Sequence, residues 1–251
     1  MPFTFAHPVA VLPLGIKKYK YFDCTALIIG STAPDFEYFI HFRPYQLYGH
    51  TLLGQLFYNL PLVLIVSLIF HRILKEPIVT NLPDPYCTYY YYLTKKRWKI
   101  NSVGGLAKFI YSALIGMFTH LFWDSFTHVG GYFVTKITIL SKSIDIMNFK
   151  APIYKILQHE STVIGLVIIF IVLLRIQDKN GKYILKTNKV SKVIFWLSIV
   201  VISVVIGFLV LLMNGLTIGS FVVNFISSGF IGATIVSLIY LREIAKQSHD
   251  V

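Results

Sequence analysis

The sequence predicts an all-α polytopic integral membrane bundle, with about five full spans and two short N-terminal helices. Of the 251 residues, 55% are hydrophobic and only 14% are charged, and the mean hydropathy is +0.67. A soluble domain has a charged share of about 25%. The Lys and Arg residues behind the net charge of +12 lie in short clusters between apolar runs, as loop charges do on a cytoplasmic membrane face. This distribution argues against nucleic-acid binding.

Two short apolar segments begin the chain. Residues 4–16 contain two prolines, and residues 23–34 end at a proline, so that neither is long enough to cross about 30 Å of hydrocarbon. Lysines follow the first segment. We expect the two segments to pair as a hairpin with these lysines at its turn, which places His7 and Asp35 together at the opposite end.

Five longer apolar segments are expected to cross the bilayer. The first contains 24 residues, which rise about 36 Å as a helix, and Pro61 is expected to kink it. A polar connection with clustered tyrosines follows it, and a loop of mixed polarity with short helices follows the second span. The predicted spans are residues 51–74, 103–128, 161–176, 193–213 and 220–241.

The same pattern predicts two domains and an orientation. Residues 1–175 form a metal-site helical membrane domain, and residues 176–251 form a C-terminal two-span hairpin. Of the 23 Lys and Arg residues, 17 fall in clusters expected on one side of the membrane and five on the other. The positive-inside rule makes the richer side cytoplasmic. The candidate site residues then lie towards the non-cytoplasmic side.

The stretch His120-Leu-Phe-Trp-Asp124-Ser-Phe-Thr-His128 ends the second span. A four-residue step turns an α-helix by about 40° and rises about 6 Å, so that these three polar residues share one face. Ionisable side chains inside a span are costly and indicate a functional site. The two His residues are about 12 Å apart along the helix, too far to share one ion, but each can share an ion with Asp124. The spacing predicts a carboxylate that bridges two metal ions.

Further candidate ligands fall at the same membrane level. They are His7, Asp35, His50 and His159, with Glu37 and Glu160 as residues that orient the ligands. A set of His and Asp without Cys suits zinc, and manganese or iron(II) also fit. The alternative for His120, Asp124 and His128 is a hydrogen-bond network between helices. For His7, Asp35 and His50 it is a capping or interfacial role, and for Glu160 it is stabilisation of the helix dipole.

Other chemistry has little support in the sequence. There is no Gly-rich phosphate loop, no Gly-x-Ser-x-Gly and no His-Glu-x-x-His, and Cys24 and Cys87 form no zinc or disulfide pattern. Two other functions stay open. A divalent metal-ion or small-molecule transporter uses intramembrane His and Asp, and a redox protein uses His to bind haem. The interleaved Asp35 and Asp124 favour metal ions over haem.

Five short motifs occur in a fixed order along the first part of the chain. They are Met1-Pro-Phe-Thr-Phe-Ala-His7-Pro, Gly30-Ser-Thr-Ala-Pro-Asp35-Phe-Glu-Tyr, Gly49-His50-Thr-Leu-Leu-Gly, the stretch from His120 to His128, and Leu157-Gln-His159. Together they resemble the DUF4184 family of bacterial membrane proteins over roughly residues 1–175. The resemblance implies a protein of the bacterial cytoplasmic membrane, and it implies no particular reaction.

More distantly, the order of the His and Asp residues is similar to two groups of hydrolases. These are the YdjM-type inner-membrane metal-dependent hydrolases and the zinc-dependent phospholipase C and P1 nuclease group. The resemblance implies seven metal ligands, namely His7, Asp35, His50, His120, Asp124, His128 and His159. The soluble enzymes place a Glu four residues after the last His, where this chain has Val163, so that two ions are expected and not three.

These observations together predict a membrane-embedded, two-metal hydrolase. Its expected substrate is a phosphoester in a membrane lipid or a lipid-linked molecule, and the sequence leaves its protein partners unknown. Asp124 and His120 are the expected catalytic residues, because Asp124 would bridge the two ions and His120 is its neighbour on the same helix face.

Overall fold

The fold is almost entirely α-helical. The computed structural model describes residues 3–18, 20–146, 149–181, 188–215 and 217–249. Five of its helical segments are long and apolar enough to cross a membrane, and these are Leu52–Thr80, Val103–Lys136, Ile153–Arg175, Lys189–Met213 and Ile218–Lys246. The predicted class, an all-α multi-pass membrane protein, is confirmed.

The first short N-terminal segment is divided into two helical pieces, and the second, with the residues that follow it, into three. They are a 3₁₀ helix (Thr4–Ala10) followed by α1 (Leu12–Lys17), and α2 (Cys24–Gly30) followed by a 3₁₀ turn (Ala33–Asp35) and α3 (Phe36–His41). Pro13 lies in the first turn of α1, where its missing N–H group costs nothing. Asp23 caps α2 by accepting a hydrogen bond of 2.9 Å from the backbone N–H of Ala26.

The first membrane-crossing helix, α4 (Leu52–Thr80), contains two π-helical segments, Gln55–Asn59 and Phe70–Leu74. Pro61, the residue predicted to kink this helix, follows the first of these segments closely. The predicted end at residue 74 was wrong, since the helix continues to Thr80. Pro77 comes shortly after the second π-helical segment, where the α-helical hydrogen-bond pattern restarts. At the start of such a pattern the N–H group that proline lacks is needed least.

Short helices connect α4 to the next span, and further short elements follow that span. The connecting helices are α5 (Tyr86–Tyr90) and α6 (Tyr92–Lys95), and the next span contains α7 (Val103–Thr127). The short elements after α7 are α8 (Tyr132–Lys136), α9 (Thr138–Ser141), β1 (Ser143–Ile146) and β2 (Phe149–Pro152). The strands pair antiparallel with Ser143 opposite Pro152. This region was predicted as a loop with short helices and no strand, because four alternating residues are too few to stand out from a loop.

The last three helices are longer than predicted. They are α10 (Ile153–Arg175), α11 (Lys189–Asn214) and α12 (Ile218–His249). The largest difference is in α10, which was predicted to begin at Ser161 and begins eight residues earlier. His159 and Glu160 were interpreted as the end of a loop, but they lie within the first two turns of this helix.

The helices form two compact units that alternate along the chain. The first comprises residues 1–36, 47–64 and 100–175, and the second comprises residues 37–46, 65–99 and 176–251. The predicted domains, in contrast, were two contiguous stretches, and that division stays a prediction.

In the first unit, the backbones of α2 and α7 touch. A Cβ atom on Gly30 would lie 2.5 Å from the carbonyl oxygen of Ala113, and one on Gly116 would lie 2.5 Å from that of Leu27. Small residues at a crossing allow such close approach between membrane helices. This contact sets where the last two turns of α7 lie relative to the end of α2.

In the second unit, α11 and α12 pack on an apolar core of Phe195, Ile199 and Val236. Polar contacts supplement this core. The Asn224 amide donates a hydrogen bond of 2.8 Å to the carbonyl oxygen of Gly207, and Ser228 donates one of 2.9 Å to Asn224. The first of these joins α12 to α11 and the second lies within α12, and such hydrogen bonds compensate for the burial of polar side chains in membrane helices.

Candidate metal centre

Six of the seven predicted ligands come together in the first unit. We call them the His/Asp cluster: His7, Asp35, His50, His120, Asp124 and His128. They come from the N-terminal 3₁₀ helix, the turn after α2, the loop before α4 and the end of α7. The hairpin expected at the N-terminus does bring His7 and Asp35 to the same place.

Asp124 lies at the centre of the cluster, and its two carboxylate oxygens face different histidines. Oδ2 is 3.2 Å from His120 Nε2 and 3.3 Å from His50 Nε2. Oδ1 is 3.6 Å from His7 Nε2 and 3.5 Å from His128 Nδ1. The carboxylate therefore separates the histidines into two pairs, one on each oxygen.

Asp35 completes one of the two groups. Its Oδ1 atom lies 3.6 Å from His120 Nε2 and 3.8 Å from His50 Nε2. Together with Asp124 Oδ2, these atoms form a set of four donors. Ligands at about 2.0–2.1 Å from a tetrahedral ion are about 3.3 Å from each other. The four distances between these histidines and carboxylates, 3.2–3.8 Å, are compatible with ligands of one ion.

Among the residues that the structure describes, two groups of three have ligand atoms that all lie within 4.8 Å of one another. One is His7, His120 and Asp124, and the other is Asp35, His50 and His120. The rings of His7 and His120 stack with their centroids 3.8 Å apart, which holds the two imidazoles side by side. These buried groups can hold a metal ion.

The cluster contains buried polar atoms that lack ordinary partners. Asp35 and His120 are completely buried, and no Lys or Arg in the described ranges comes within ion-pair distance of Asp35 or Asp124. The buried atoms that make no hydrogen bond of acceptable geometry include four that face the centre of the cluster, namely His7 Nε2, His120 Nε2, Asp35 Oδ1 and Asp124 Oδ1. Unsatisfied buried polar atoms are rare and costly. A bound cation would satisfy all four atoms, so the residues fit a metal ion.

The protonation of the N-terminal members agrees with this fit. Burial, together with the neighbouring His120, lowers the pKa of His7 to about 3. His7 is therefore a neutral imidazole at pH 7, which is the form that binds metals. Burial raises the pKa of Asp35. A cation beside Asp35 would favour its charged form against this cost of burial.

Hydrogen bonds from outside the cluster orient two of its members. The Nδ1 atom of His120 lies 2.8 Å from the backbone carbonyl oxygen of Ser31, which directs Nε2 towards Asp124. The hydroxyl group of Thr4 donates a hydrogen bond of 2.6 Å to Asp35 Oδ2, which leaves Oδ1 facing the histidines. Metal-binding His and Asp side chains are commonly held in this way.

The structure does not bring His159 or Glu160 to the cluster, since both side chains are exposed on α10. Gln158 is buried instead, and its Oε1 atom has no hydrogen-bond partner. Successive residues on a helix differ in direction by about 100°, so that burial of Gln158 turns His159 outwards. Glu37 is buried in α3 and belongs to the second unit.

Sequence reasoning missed Thr4 and Gln158, although signals for both exist. Thr4 stands three residues before His7 in the N-terminal motif. Gln158, Thr162 and Gly165 recur at the spacing of one helix face, and this face lies against the N-terminal segment. Thr162 accepts a hydrogen bond of 3.1 Å from the backbone N–H of Phe3, and a Cβ atom on Gly165 would lie 3.1 Å from Ala6. That periodicity would have favoured Gln158 over His159 as the inward residue.

The fold and the site define a class: a multi-pass helical membrane protein with buried His and Asp groups able to hold a metal ion. Residues 1–238 match the family described as Domain of unknown function (DUF4184), and the chain belongs to this DUF4184 family. Comparisons with curated proteins and with solved structures each gave no match.

Proposed function

We propose that the His/Asp cluster binds two divalent metal ions and that the protein is a membrane-embedded hydrolase of phosphoesters. The observation that carries this proposal is the position of Asp124. Each of its oxygens faces a separate pair of histidines at 3.2–3.6 Å. A carboxylate in this position is suited to bridge two ions. Zinc is the first candidate for a set of imidazoles and carboxylates without thiolate, and manganese or iron(II) are alternatives.

The two ion positions would differ in how completely the chain surrounds them. Asp35, His50 and His120 would hold one ion together with Asp124 Oδ2, which makes four donors. His7 and His128 would hold the other with Asp124 Oδ1, which makes three donors and leaves one position for a substrate or water. When bound, such ions polarise a phosphoryl oxygen and activate water near neutral pH. The partly exposed side chains of His50 and His128, 26% and 29% accessible, mark the side from which a substrate reaches the cluster.

The charge of the site favours a phosphoryl group. Two divalent ions carry four positive charges, and the cluster offers only two carboxylates against them, because neutral histidines add no charge. The loaded site would therefore retain positive charge that attracts an anion. The distant similarity of the ligand order to the YdjM-type hydrolases and to the phospholipase C and P1 nuclease group supports the same reaction class.

A lipid or lipid-linked substrate is favoured by what surrounds the cluster. Asp124 and His128 stand at the end of a helix long enough to cross a membrane, where a headgroup and water can both arrive. Large apolar side chains near the two partly exposed histidines are themselves exposed, Leu52 at 70% and Val129 at 82%. In a bacterial cytoplasmic membrane, with the orientation expected from the Lys and Arg distribution, the site would lie towards the non-cytoplasmic side.

Elemental analysis of the detergent-purified protein tests the metal part of this proposal. We expect about two equivalents of zinc or manganese in the wild type, and less than about one in Asp124→Ala, because the bridge contributes to both positions. Asp145→Ala, which removes an exposed carboxylate on β1, is the matched control and should keep the wild-type content. A wild-type protein without bound metal would contradict the proposal.

The hydrolytic part is tested on the metal-loaded protein. Phosphate release from lysophosphatidic acid and cleavage of bis(p-nitrophenyl) phosphate distinguish monoester from diester hydrolysis. Activity should disappear in Asp124→Ala and persist in Asp145→Ala. If the loaded wild type hydrolyses neither of these substrates, the reaction class is wrong. Ion flux into vesicles that contain the protein then examines the transporter alternative.

A further inference from the structure

We propose that Gln55 and Asn59 are positioning residues that hold His50 in the His/Asp cluster through the backbone carbonyl groups on either side of it. The inference rests on the proposed function, since it concerns one ligand of the proposed metal site. Both residues lie inside a membrane-crossing helix. They would support the site from outside, since neither is a member of the His/Asp cluster.

The two amide side chains bond to the loop that carries His50. Gln55 Nε2 donates hydrogen bonds of 2.7 Å to the carbonyl oxygen of Gly49 and 3.0 Å to that of Thr51. Asn59 Nδ2 donates a second hydrogen bond of 2.7 Å to the Gly49 carbonyl oxygen and one of 2.9 Å to Gln55 Oε1. The residues immediately before and after His50 are therefore both bonded to α4.

Burial makes these hydrogen bonds significant. Gln55 is 2% exposed and Asn59 is completely buried, and both lie in a helix that is otherwise apolar enough to span a membrane. Buried amides at such a place are costly unless their hydrogen bonds are made, and polar residues within spans mark functional sites. They also occupy a π-helical segment, Gln55–Asn59, and π-helical turns occur frequently at functional sites.

The loop is packed directly on the first turn of α4. Thr51 caps this helix by accepting a hydrogen bond of 3.0 Å from the backbone N–H of Gly54. A Cβ atom on Gly54 would overlap the carbonyl group of Tyr48. The backbone on both sides of His50 therefore has little freedom to move away from the helix.

His50 needs such support more than the ligands that lie on α7. It reaches Asp124 and Asp35 from an irregular loop, across 3.3 Å and 3.8 Å, whereas His120 and Asp124 share one helix. A metal ligand has to be held to within about 0.5 Å of its productive position, and a loop provides this only when other groups fix it. The paired amides supply that restraint.

The test compares Asn59→Leu with Asn81→Leu in the full chain in detergent. Asn81 is a matched control, because it is also completely buried and donates a hydrogen bond of 2.9 Å to a backbone carbonyl oxygen four residues earlier, that of Pro77. Zinc affinity is measured by competition with a chelator, and unfolding is followed in parallel. We expect Asn59→Leu to weaken one of the two zinc ions by about 10–100-fold, and Asn81→Leu to leave both affinities within about twofold.

A double variant distinguishes positioning from general loss of structure. Because the amides act through His50, Asn59→Leu should add no further loss of zinc affinity to that caused by His50→Ala. Gln55→Met, which removes one of the two donors to Gly49, should give a smaller loss of the same kind and serves if Asn59→Leu does not fold.

The failure of this inference and the failure of the proposed function give different results. If His50→Ala loses one zinc ion while Asn59→Leu and Gln55→Met bind as the wild type does, the positioning role is wrong and the metal site stands. If the losses of Asn59→Leu and His50→Ala add in the double variant, the amides do not act through His50. A wild-type protein that binds no zinc overturns the proposed function and this inference together.

Discussion

At the scale of single residues, the exposure of a side chain separates two histidines that are equivalent by residue type. His128 lies 3.5 Å from Asp124 Oδ1, whereas the side chain of His159 is exposed on the first half of α10. His128 was predicted as a ligand from its four-residue spacing to Asp124, whereas His159 was predicted from its membrane level and from the resemblance in ligand order. The position of Asp124 thus supports His128 as a ligand and does not support His159.

We expect His159→Ala to retain the zinc content and affinity of the wild type to within about twofold, and His128→Ala to lose one ion or to bind it at least about tenfold more weakly. The physical reason is that His128 alone of the two lies within reach of the central carboxylate. Elemental analysis and chelator competition measure both variants. Loss of an ion in His159→Ala would show that α10 turns towards the cluster when metal binds, and would restore the seven-ligand set.

At the scale of secondary structure, the crossing of α2 and α7 determines whether the site forms. The carbonyl oxygen of Ser31, just after α2, lies 2.8 Å from His120 Nδ1. The same crossing is so close that Gly116 has no room for a side chain against Leu27 and Ser31. A change that separates the two helices therefore also removes the group that orients His120.

We expect Gly116→Ala to lower the free energy of unfolding by about 1–3 kcal/mol, because the added methyl group meets backbone atoms that cannot rearrange cheaply. It should also weaken metal binding, because separation of the helices loosens His120. Chemical unfolding in detergent and zinc competition measure the two effects.

Gly229→Ala is the matched control for this change, because a Cβ atom at that helical glycine of α12 meets nothing within 4 Å. It should leave unfolding and metal binding unchanged or improve stability slightly, since Ala favours a helix over Gly. Equal destabilisation by both substitutions would contradict the importance of the α2 and α7 crossing.

At the scale of the whole molecule, the orientation in the membrane decides which compartment supplies the substrate. The Lys and Arg distribution predicts that the connection containing Lys95 faces the cytoplasm and that the connection containing Lys142 faces the opposite side. Both side chains are exposed, so that a cysteine at either position is accessible to a reagent.

We expect Lys142→Cys to react with a membrane-impermeant maleimide in intact cells, and Lys95→Cys to react only after the cells are permeabilised. The background for both is a chain in which Cys24 and Cys87, which are free thiols, are replaced by Ala. The reverse labelling pattern would place the His/Asp cluster on the cytoplasmic side and would change the expected source of the substrate.

Much of the candidate site was predictable because helical periodicity is a local property. The four-residue spacing of His120 and Asp124 places both on one face of α7 whatever surrounds the helix. His128 follows the last residue of α7 in an extended conformation and still lies 3.5 Å from Asp124 Oδ1. His7, Asp35 and His50 could be assigned to the same site because they were expected at the same depth in the membrane. That depth follows from hydrophobic length, which sets where a helix begins and ends. Element boundaries were less predictable, as the early start of α10 shows, since polar residues are compatible with either a loop or the first turns of a helix.

By itself, the sequence determined that this is an all-α multi-pass membrane protein with ionisable His and Asp residues collected near one end of its spans. Hydrophobic length and helical periodicity suffice for that, because both act within a single segment. Only the tertiary structure decided that the oxygens of Asp124 face different histidines, that Gln158 is buried in place of His159, and that Gln55 and Asn59 hold the loop of His50. The contacts of Asp124 with His7 and His50 join segments far apart in the chain, and their geometry depends on how the helices pack. Those of Gln55 and Asn59 reach back only four to ten residues, but they depend on the path of an irregular loop that no periodic pattern predicts.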